Sequence, residues 1–102
     1  MLELTMDNFN TETKEDNVIV DFWAPWCAPC RMLGPNFEAL SKEMKDIKFA
    51  KVNIDENNEL ADMLNVKNIP CMVLFKDGEE VNRILGAFPK DSLKKRIEEG
   101  FN

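Results

Sequence analysis

Residues 23–30 read Trp23-Ala24-Pro25-Trp26-Cys27-Ala28-Pro29-Cys30, a run that contains two of the three cysteines of the chain. An apolar segment typical of a strand precedes the run, and a helical pattern follows it. Two cysteines at this spacing can close a small disulfide without large backbone movement. A helix N-terminus also places unpaired N–H groups and partial positive charge beside the first sulfur, which should ionise readily. Because a thiolate is the species that attacks disulfides, the run predicts a redox site.

Length and composition narrow the class of protein. The chain has 102 residues, of which 44% are hydrophobic, and we expect one domain spanning residues 1–102. A formal net charge of -6 and scattered Lys and Arg residues argue against nucleic acid as a partner. The N-terminus lacks a signal-peptide pattern, and no stretch is long enough to span a bilayer. We therefore expect a soluble, cytoplasmic protein with no membrane partner.

The count of cysteines and histidines excludes several chemistries. Three cysteines are too few for a disulfide scaffold, so packing must stabilise the fold. The chain has no histidine, which excludes Ser-His-Asp hydrolysis and His-ligated zinc. Only one CxxC pair is present, so a four-ligand zinc site has no second half. We expect neither a metal nor a cofactor.

Hydrophobic patterning predicts alternating strands and helices in the first half and a hairpin in the second. A strand, a helix and a strand in succession imply parallel pairing through a right-handed crossover. Asp77-Gly78 favours a tight turn between antiparallel strands, and Pro89 can occupy a first helical turn. The predicted elements are an edge strand with Leu2 and Leu4, a brief helix through Phe9 capped by Thr5 or Asp7, a central strand over 17–24, a helix from Arg31 with apolar positions as far as Ile47, a strand over 49–54, a helix over 57–64 with Leu60, Met63 and Leu64 apolar, strands over 71–75 and 81–85, and a closing helix with Leu93, Ile97 and Phe101 on one face before Gly100.

Four motifs carry a family resemblance through their order and spacing: Val20-Asp21-Phe22-Trp23-Ala24, Trp26-Cys27-Ala28-Pro29-Cys30, Ile69-Pro70 and Lys76-Asp77-Gly78. With these motifs the sequence resembles thioredoxins along essentially its whole length. This resemblance implies an α/β thioredoxin fold, in which a central mixed sheet of about five strands is flanked by about four helices. It also implies disulfide reductase activity. Two departures are Ala28, where thioredoxins usually have glycine, and Cys71, where threonine is common.

Cys27 is the predicted nucleophile, because it lies at the start of the helix and follows Trp26, where the resemblance also places the exposed thiol. Cys30 would then resolve the mixed disulfide formed between Cys27 and a substrate. A static disulfide and a metal half-site are the alternatives, and a reducing cytosol disfavours the first. Ala28 and Pro29 carry no charge that would stabilise the thiolate, which predicts a reducing couple.

Asp21 interrupts an apolar strand, and strand alternation turns it toward an interior face near the helix that carries Cys30. Desolvation of a buried carboxylate raises its pKa, which suits a group that exchanges a proton near neutral pH. The resemblance assigns Asp21 this general acid/base role toward Cys30 through water, with Lys51 as its charge partner. The alternative is a buried pair that serves only the fold.

Ile69-Pro70 precedes an apolar strand, and an X-Pro bond is the setting in which a cis peptide is accessible. The resemblance implies that Pro70 is cis, packs beside the two sulfurs and leaves the backbone of Ile69 free to pair with an extended substrate. An apolar substrate surface around the thiols would follow. Its predicted members are Ala24, Pro25, Trp26, Ala28, Pro29, Ile69, Pro70, Gly86 and Ala87.

Trp23 and Cys71 could serve packing alone rather than function. Trp23 lies within the strand, which favours ordinary core packing, whereas Trp26 abuts the reactive thiol and is better suited to recognition. Cys71 follows Pro70 on a pleated strand and should point away from the proline's face, which favours a small buried hydrophobe. The alternative for Cys71 is a regulatory role or side oxidation.

The predicted function is that of a general protein disulfide reductase. It would cycle between a dithiol and a Cys27–Cys30 disulfide and supply electrons to client proteins that carry disulfides. Thioredoxin reductase or an equivalent donor would reduce it again, and we expect a monomer. The alternatives are a glutathione-coupled, glutaredoxin-like enzyme and a binding subunit that needs no redox chemistry.

Overall fold

The structure, a computed structural model, describes residues 1–102 and contains five strands and four helices. None of the four helices is both long and apolar enough to cross a membrane. The elements, in chain order, are β1 (Leu2–Glu3), α1 (Phe9–Thr13), β2 (Asn17–Trp23), α2 (Ala28–Glu43), β3 (Lys48–Asn53), α3 (Asn58–Met63), β4 (Cys71–Lys76), β5 (Glu79–Leu85) and α4 (Lys90–Gly100).

The five strands form one mixed sheet in the order β1-β3-β2-β4-β5. β3 lies parallel to both β1 and β2, whereas β4 is antiparallel to β2 and to β5. The parallel β2–β3 pair connected through α2, and the β4–β5 hairpin across Asp77-Gly78, confirm the predicted pairing. A mixed sheet of five strands with four helices confirms the predicted fold class.

The central strand β2 is covered on both faces, as its continuous apolar run predicts. Alternate residues of β2 therefore enter two separate apolar clusters, each with 12 buried residues. Val18, Val20 and Phe22 join the cluster that α1 and α3 contribute to, which we call the α1/α3 face. Ile19 joins the cluster of α2 and α4, which we call the α2/α4 face. Asp21 lies on this second face, between Lys51 of β3 and Met72 of β4.

Some predicted details are wrong. α1 begins at Phe9 rather than ending there, and the Thr5 hydroxyl instead accepts a hydrogen bond from the N–H of Asp7, within the turn before the helix. Ile47, predicted as an apolar position of this helix, lies outside α2, because the helix ends at Glu43. Met63 is 68% exposed, because α3 covers the sheet through Leu60 and Ala61, its two buried residues.

Candidate active site

The two cysteines lie at the junction of β2 and α2. Cys27 is the N-cap residue of α2, with extended backbone angles, and Cys30 is in the first turn. The N–H of Cys27 donates to the carbonyl of Ala24, which turns the chain from the strand into the helix. Pro29 in this first turn has no N–H to leave unpaired. This local geometry brings the two Cα atoms to 5.2 Å, and the sulfurs form a disulfide.

The N-terminus of α2 supplies the electrostatic environment of the first sulfur. The backbone N–H of Cys30 donates to Cys27 Sγ at 3.2 Å. The first turn contains no acidic residue that would cancel the positive end of the helix dipole. Both features favour negative charge on Cys27 Sγ over its protonated form.

The predicted exposed thiol is largely covered in this disulfide form. Cys27 is 6% exposed and Cys30 is 3% exposed. The two residues form a small apolar cluster with Ala24, against which Trp23 and Ile69 pack. Ala24 is itself fully buried, so its predicted place on the contact surface is wrong, because it packs beneath the cysteines.

Asp21 is fully buried, and neither of its carboxylate oxygens has a hydrogen-bond partner. Desolvation raises the pKa of Asp21 to about 7, and the charge of Lys51 partly opposes this rise. Lys51 lies opposite Asp21 in the sheet, and its Nζ is 4.6 Å from the centre of the Trp23 ring. The arrangement leaves one buried carboxylic acid that can lose or gain a proton near neutral pH.

Pro70 is buried, and the Ile69–Pro70 peptide bond is cis, as the sequence resemblance implied. The carbonyl oxygen of Ile69 lies 3.9 Å from Cys27 Sγ. The backbone N–H and carbonyl of Ile69 take part in no backbone hydrogen bond of the protein. A free edge of main chain therefore runs past the disulfide. Gly86, with φ of 98°, donates its N–H to the carbonyl of Pro70 at 3.0 Å.

The surface around this edge is partly apolar. Trp26 is 66% exposed, and its indole Nε1 donates to Asp55 Oδ1 at 3.0 Å. Asp55 was not predicted, because the two residues are 29 positions apart and no local pattern links them. Of the predicted contact residues, Pro25, Ala28 and Pro29 are exposed, and Ile69, Gly86 and Ala87 are partly exposed.

Cys71 is separate from the disulfide and is 1% exposed. Its side chain belongs to the α1/α3 face, and burial raises the pKa of its thiol. Both observations agree with the predicted small buried hydrophobe. Trp23 is partly buried against the cysteine cluster, and its indole Nε1 has no partner.

Comparison with known proteins identifies the family. The family model described as thioredoxin matches residues 1–99. The chain belongs to the thioredoxin family. It is 42% identical to a thioredoxin of Bacillus subtilis over 98 residues, which cover 95% of this chain and 94% of the relative. It is 40% identical to thioredoxin 1 of Synechococcus elongatus over 98 residues, which cover 93% and 92% of the two chains.

Solved structures agree with this family. A thioredoxin of Malassezia sympodialis superposes with a TM-score of 0.87 at 32% identity, over 99% of this chain and 93% of that one. A second solved chain superposes with a TM-score of 0.88 at 33% identity, over 97% of this chain and 94% of that one. It comes from a study of the thiol resolving mechanism in yeast mitochondrial 1-Cys peroxiredoxin via glutathione/thioredoxin systems. With its Cys27–Cys30 pair, the chain is a thiol-disulfide oxidoreductase of the thioredoxin type.

Proposed function

We propose that this member of the thioredoxin family is a general reductase of protein disulfides, a monomer of one domain that acts in the cytoplasm. Its electrons would come from thioredoxin reductase or an equivalent donor and pass to client proteins. The observation that carries the proposal is the position of Cys27 Sγ, which lies at the N-terminus of α2 and 3.9 Å from the unpaired carbonyl of Ile69. A nucleophilic sulfur and a main-chain docking edge are thus adjacent.

Substrate docking is the first step. An extended client segment would add to the free backbone of Ile69 as an extra strand, with main-chain hydrogen bonds giving affinity without a strict sequence requirement. Trp26, Ala28 and Pro29 would contact the segment from one side, and Gly86 and Ala87 from the other. The partial exposure of these residues supports this assignment. Pro70 would set the backbone conformation of this edge, directly after Ile69.

The first chemical step is attack by the Cys27 thiolate on a client disulfide. A bond forms between Cys27 Sγ and one client sulfur, while the second client sulfur leaves as a thiolate and takes up a proton. The N–H of Cys30, which points at Cys27 Sγ, and the dipole of α2 stabilise the attacking thiolate. The product is a mixed disulfide between the two proteins.

The second chemical step is resolution by Cys30. Asp21 in its ionised form would accept the proton of the Cys30 thiol through water, and the Cys30 thiolate would then displace the client from Cys27. The client leaves as a dithiol, and the pair is left as the Cys27–Cys30 disulfide. A pKa of about 7 suits Asp21 to this transfer, and Lys51 stabilises its ionised form.

Insulin reduction tests the reaction and its donor together. We expect turnover with NADPH and a thioredoxin reductase, and little or none when glutathione replaces them. Turnover with glutathione alone would select a glutaredoxin-like enzyme. Sedimentation of the reduced protein should give one species with the mass of a monomer.

Cys30→Ser tests the division of roles between the cysteines. This variant should accumulate a covalent adduct with a protein disulfide substrate, because Cys27 can attack but nothing resolves the product. Non-reducing electrophoresis and mass spectrometry would detect the adduct. The double variant Cys27→Ser/Cys30→Ser is the control, since its remaining thiol, Cys71, is buried. An adduct in the control, or none in Cys30→Ser, would contradict these roles.

A further inference from the structure

The segment that carries Ile69 makes no backbone hydrogen bonds over its central residues. It runs from the end of α3 to the start of β4, between residues 64 and 70. Lys67, Asn68 and Ile69 make no backbone hydrogen bonds within the protein. Its position therefore depends on how its two ends are fixed and on the packing of the Val66 and Ile69 side chains. We call residues 64–70 the docking segment.

At both ends the docking segment contacts β5 or the residue that follows it, in addition to the three N–H groups of residues 64–66 that donate to carbonyls of α3. At the C-terminal end, the N–H of Gly86 donates to the carbonyl of Pro70. At the N-terminal end, the guanidinium of Arg83 donates to the carbonyl of Leu64 and, at 3.4 Å, to that of Asn65. These are carbonyls at the C-terminus of α3, which the helix itself leaves without partners.

Arg83 is itself fixed in place. Its Nε and a terminal nitrogen form a two-pronged ion pair with the carboxylate of Glu80, in which the second contact is 2.9 Å. A planar guanidinium has five donors in a rigid fork, so it can hold a carboxylate through two of them and backbone carbonyls through the others.

We propose that Arg83 is a positioning residue for substrate, which holds the docking segment so that the backbone of Ile69 is ready to pair with a protein disulfide. This inference rests on the proposed docking at Ile69. A docking edge that is ordered before binding loses less conformational entropy when the client pairs with it. Arg83 has no hydrogen bond to the disulfide, so its substitution should change client affinity and leave the sulfur chemistry unchanged.

The test compares two oxidised substrates in single-turnover reactions of the reduced protein. Insulin requires strand pairing, whereas the aromatic disulfide dithiobis(nitrobenzoate) requires only access to Cys27. For Arg83→Met, we expect the insulin concentration at half-maximal rate to rise about threefold to tenfold, with the limiting rate little changed. The rate constant for the small disulfide should change much less than this, so that the ratio of the two substrates' rate constants falls.

Lys48→Met is the matched control. Lys48 also donates to a backbone carbonyl in a helix, that of Glu12, and pairs with the carboxylate of the same residue. It lies at the start of β3, at the opposite end of the sheet from the disulfide. Lys48→Met should leave the insulin-to-small-disulfide ratio as in the unmodified protein. Backbone 15N relaxation should show larger motions at Lys67 and Asn68 in Arg83→Met but not in this control.

Glu80→Gln is the second variant, for use where Arg83→Met does not fold, and should change the ratio in the same direction by a smaller amount. Equal half-maximal concentrations in Arg83→Met and the unmodified protein would overturn the inference. An equal loss on both substrates would also overturn it, because that result assigns Arg83 to the thiols. Failure of the unmodified protein to reduce either substrate would instead overturn the proposed reductase function.

Discussion

The two faces of β2 differ in what they bury. On the α1/α3 face, Val18, Val20 and Phe22 belong to an apolar cluster and are fully buried. On the α2/α4 face, Asp21 and Trp23 follow Ile19. The three buried side-chain atoms of the protein that lack a hydrogen-bond partner all belong to these two residues. The α1/α3 face of β2 therefore stabilises the sheet, whereas its α2/α4 face contains a buried acid that destabilises the fold.

This contrast separates stability from chemistry. Burying an unpaired carboxyl costs free energy, and a protein keeps such a group only where surrounding contacts are strong enough to hold it. The apolar α1/α3 face provides those contacts through the same strand. Substitutions on the two faces should therefore change stability in opposite directions, and only one of the two changes should depend on pH.

Phe22→Ala should have the largest effect on stability. Phe22 is fully buried and contacts Phe9, with 6.5 Å between the ring centres. Its truncation leaves a cavity and should lower the free energy of unfolding by about 3–5 kcal/mol, equally at pH 5 and pH 8. Urea denaturation at the two pH values measures this. Phe22→Leu, which fills part of the cavity, should lower the free energy of unfolding by less. A loss that varied with pH would mean that the two faces are coupled.

Asp21→Ala should stabilise the oxidised protein by about 2–4 kcal/mol at pH 8 and very little near pH 4. The pKa of Asp21 is about 7 in the folded protein, above its ordinary value of 3.8. The folded state therefore binds more protons than the unfolded state between these values, and stability falls as the pH rises through that window. Because Asp21→Ala has no carboxyl at this position, its stability should not fall in this way as the pH rises. Denaturation of the oxidised form from pH 4 to pH 8 measures it.

The same variant should slow resolution of the mixed disulfide, since nothing remains to accept the Cys30 proton. Equal or faster turnover would contradict the proposed role of Asp21, and lower stability at pH 8 would contradict the account of its burial. Lys51→Met is the matched comparison. Loss of the positive charge should raise the pKa of Asp21 further and extend the fall in stability to higher pH.

Cys71→Ala should have the smallest effect. The residue is buried on the apolar face, and its substitution removes one sulfur atom, so we expect a loss of about 1 kcal/mol and no change in insulin reduction. Alkylation of the native reduced protein should label Cys27 well before Cys71, because burial raises the pKa of the Cys71 thiol. Labelling of Cys71 as fast as Cys27 would indicate a reactive residue.

Local patterns predicted most of the fold. The apolar run of β2, the Asp77-Gly78 turn and the spacing of Leu93 and Ile97 each depend on neighbours within a few residues, so they could be read from the sequence. The same holds for Asp21, whose inward direction follows from strand alternation. Errors occurred where packing overrides periodicity. Met63 has helical spacing but is exposed.

Contacts between distant residues could not be predicted. Asp55 reaches Trp26 across 29 positions, and Arg83 reaches Leu64 across 19 positions, with no repeated pattern in either case. The burial of Cys27 also depends on a distant residue, because Ile69 packs against the cysteine cluster.

The sequence by itself determined the chemistry of this protein: a CxxC pair at a strand-to-helix junction, no histidine, and one acid in an apolar strand. These features depend on residue type and short spacing, which folding does not alter. Only the tertiary structure decided how far each sulfur is covered, which atoms of Asp21 lack a partner, and that Arg83 and Gly86 contact the two ends of the docking segment. Such facts depend on which distant residues share a few ångströms of space, and the mixed sheet brings them together only when all five strands have paired.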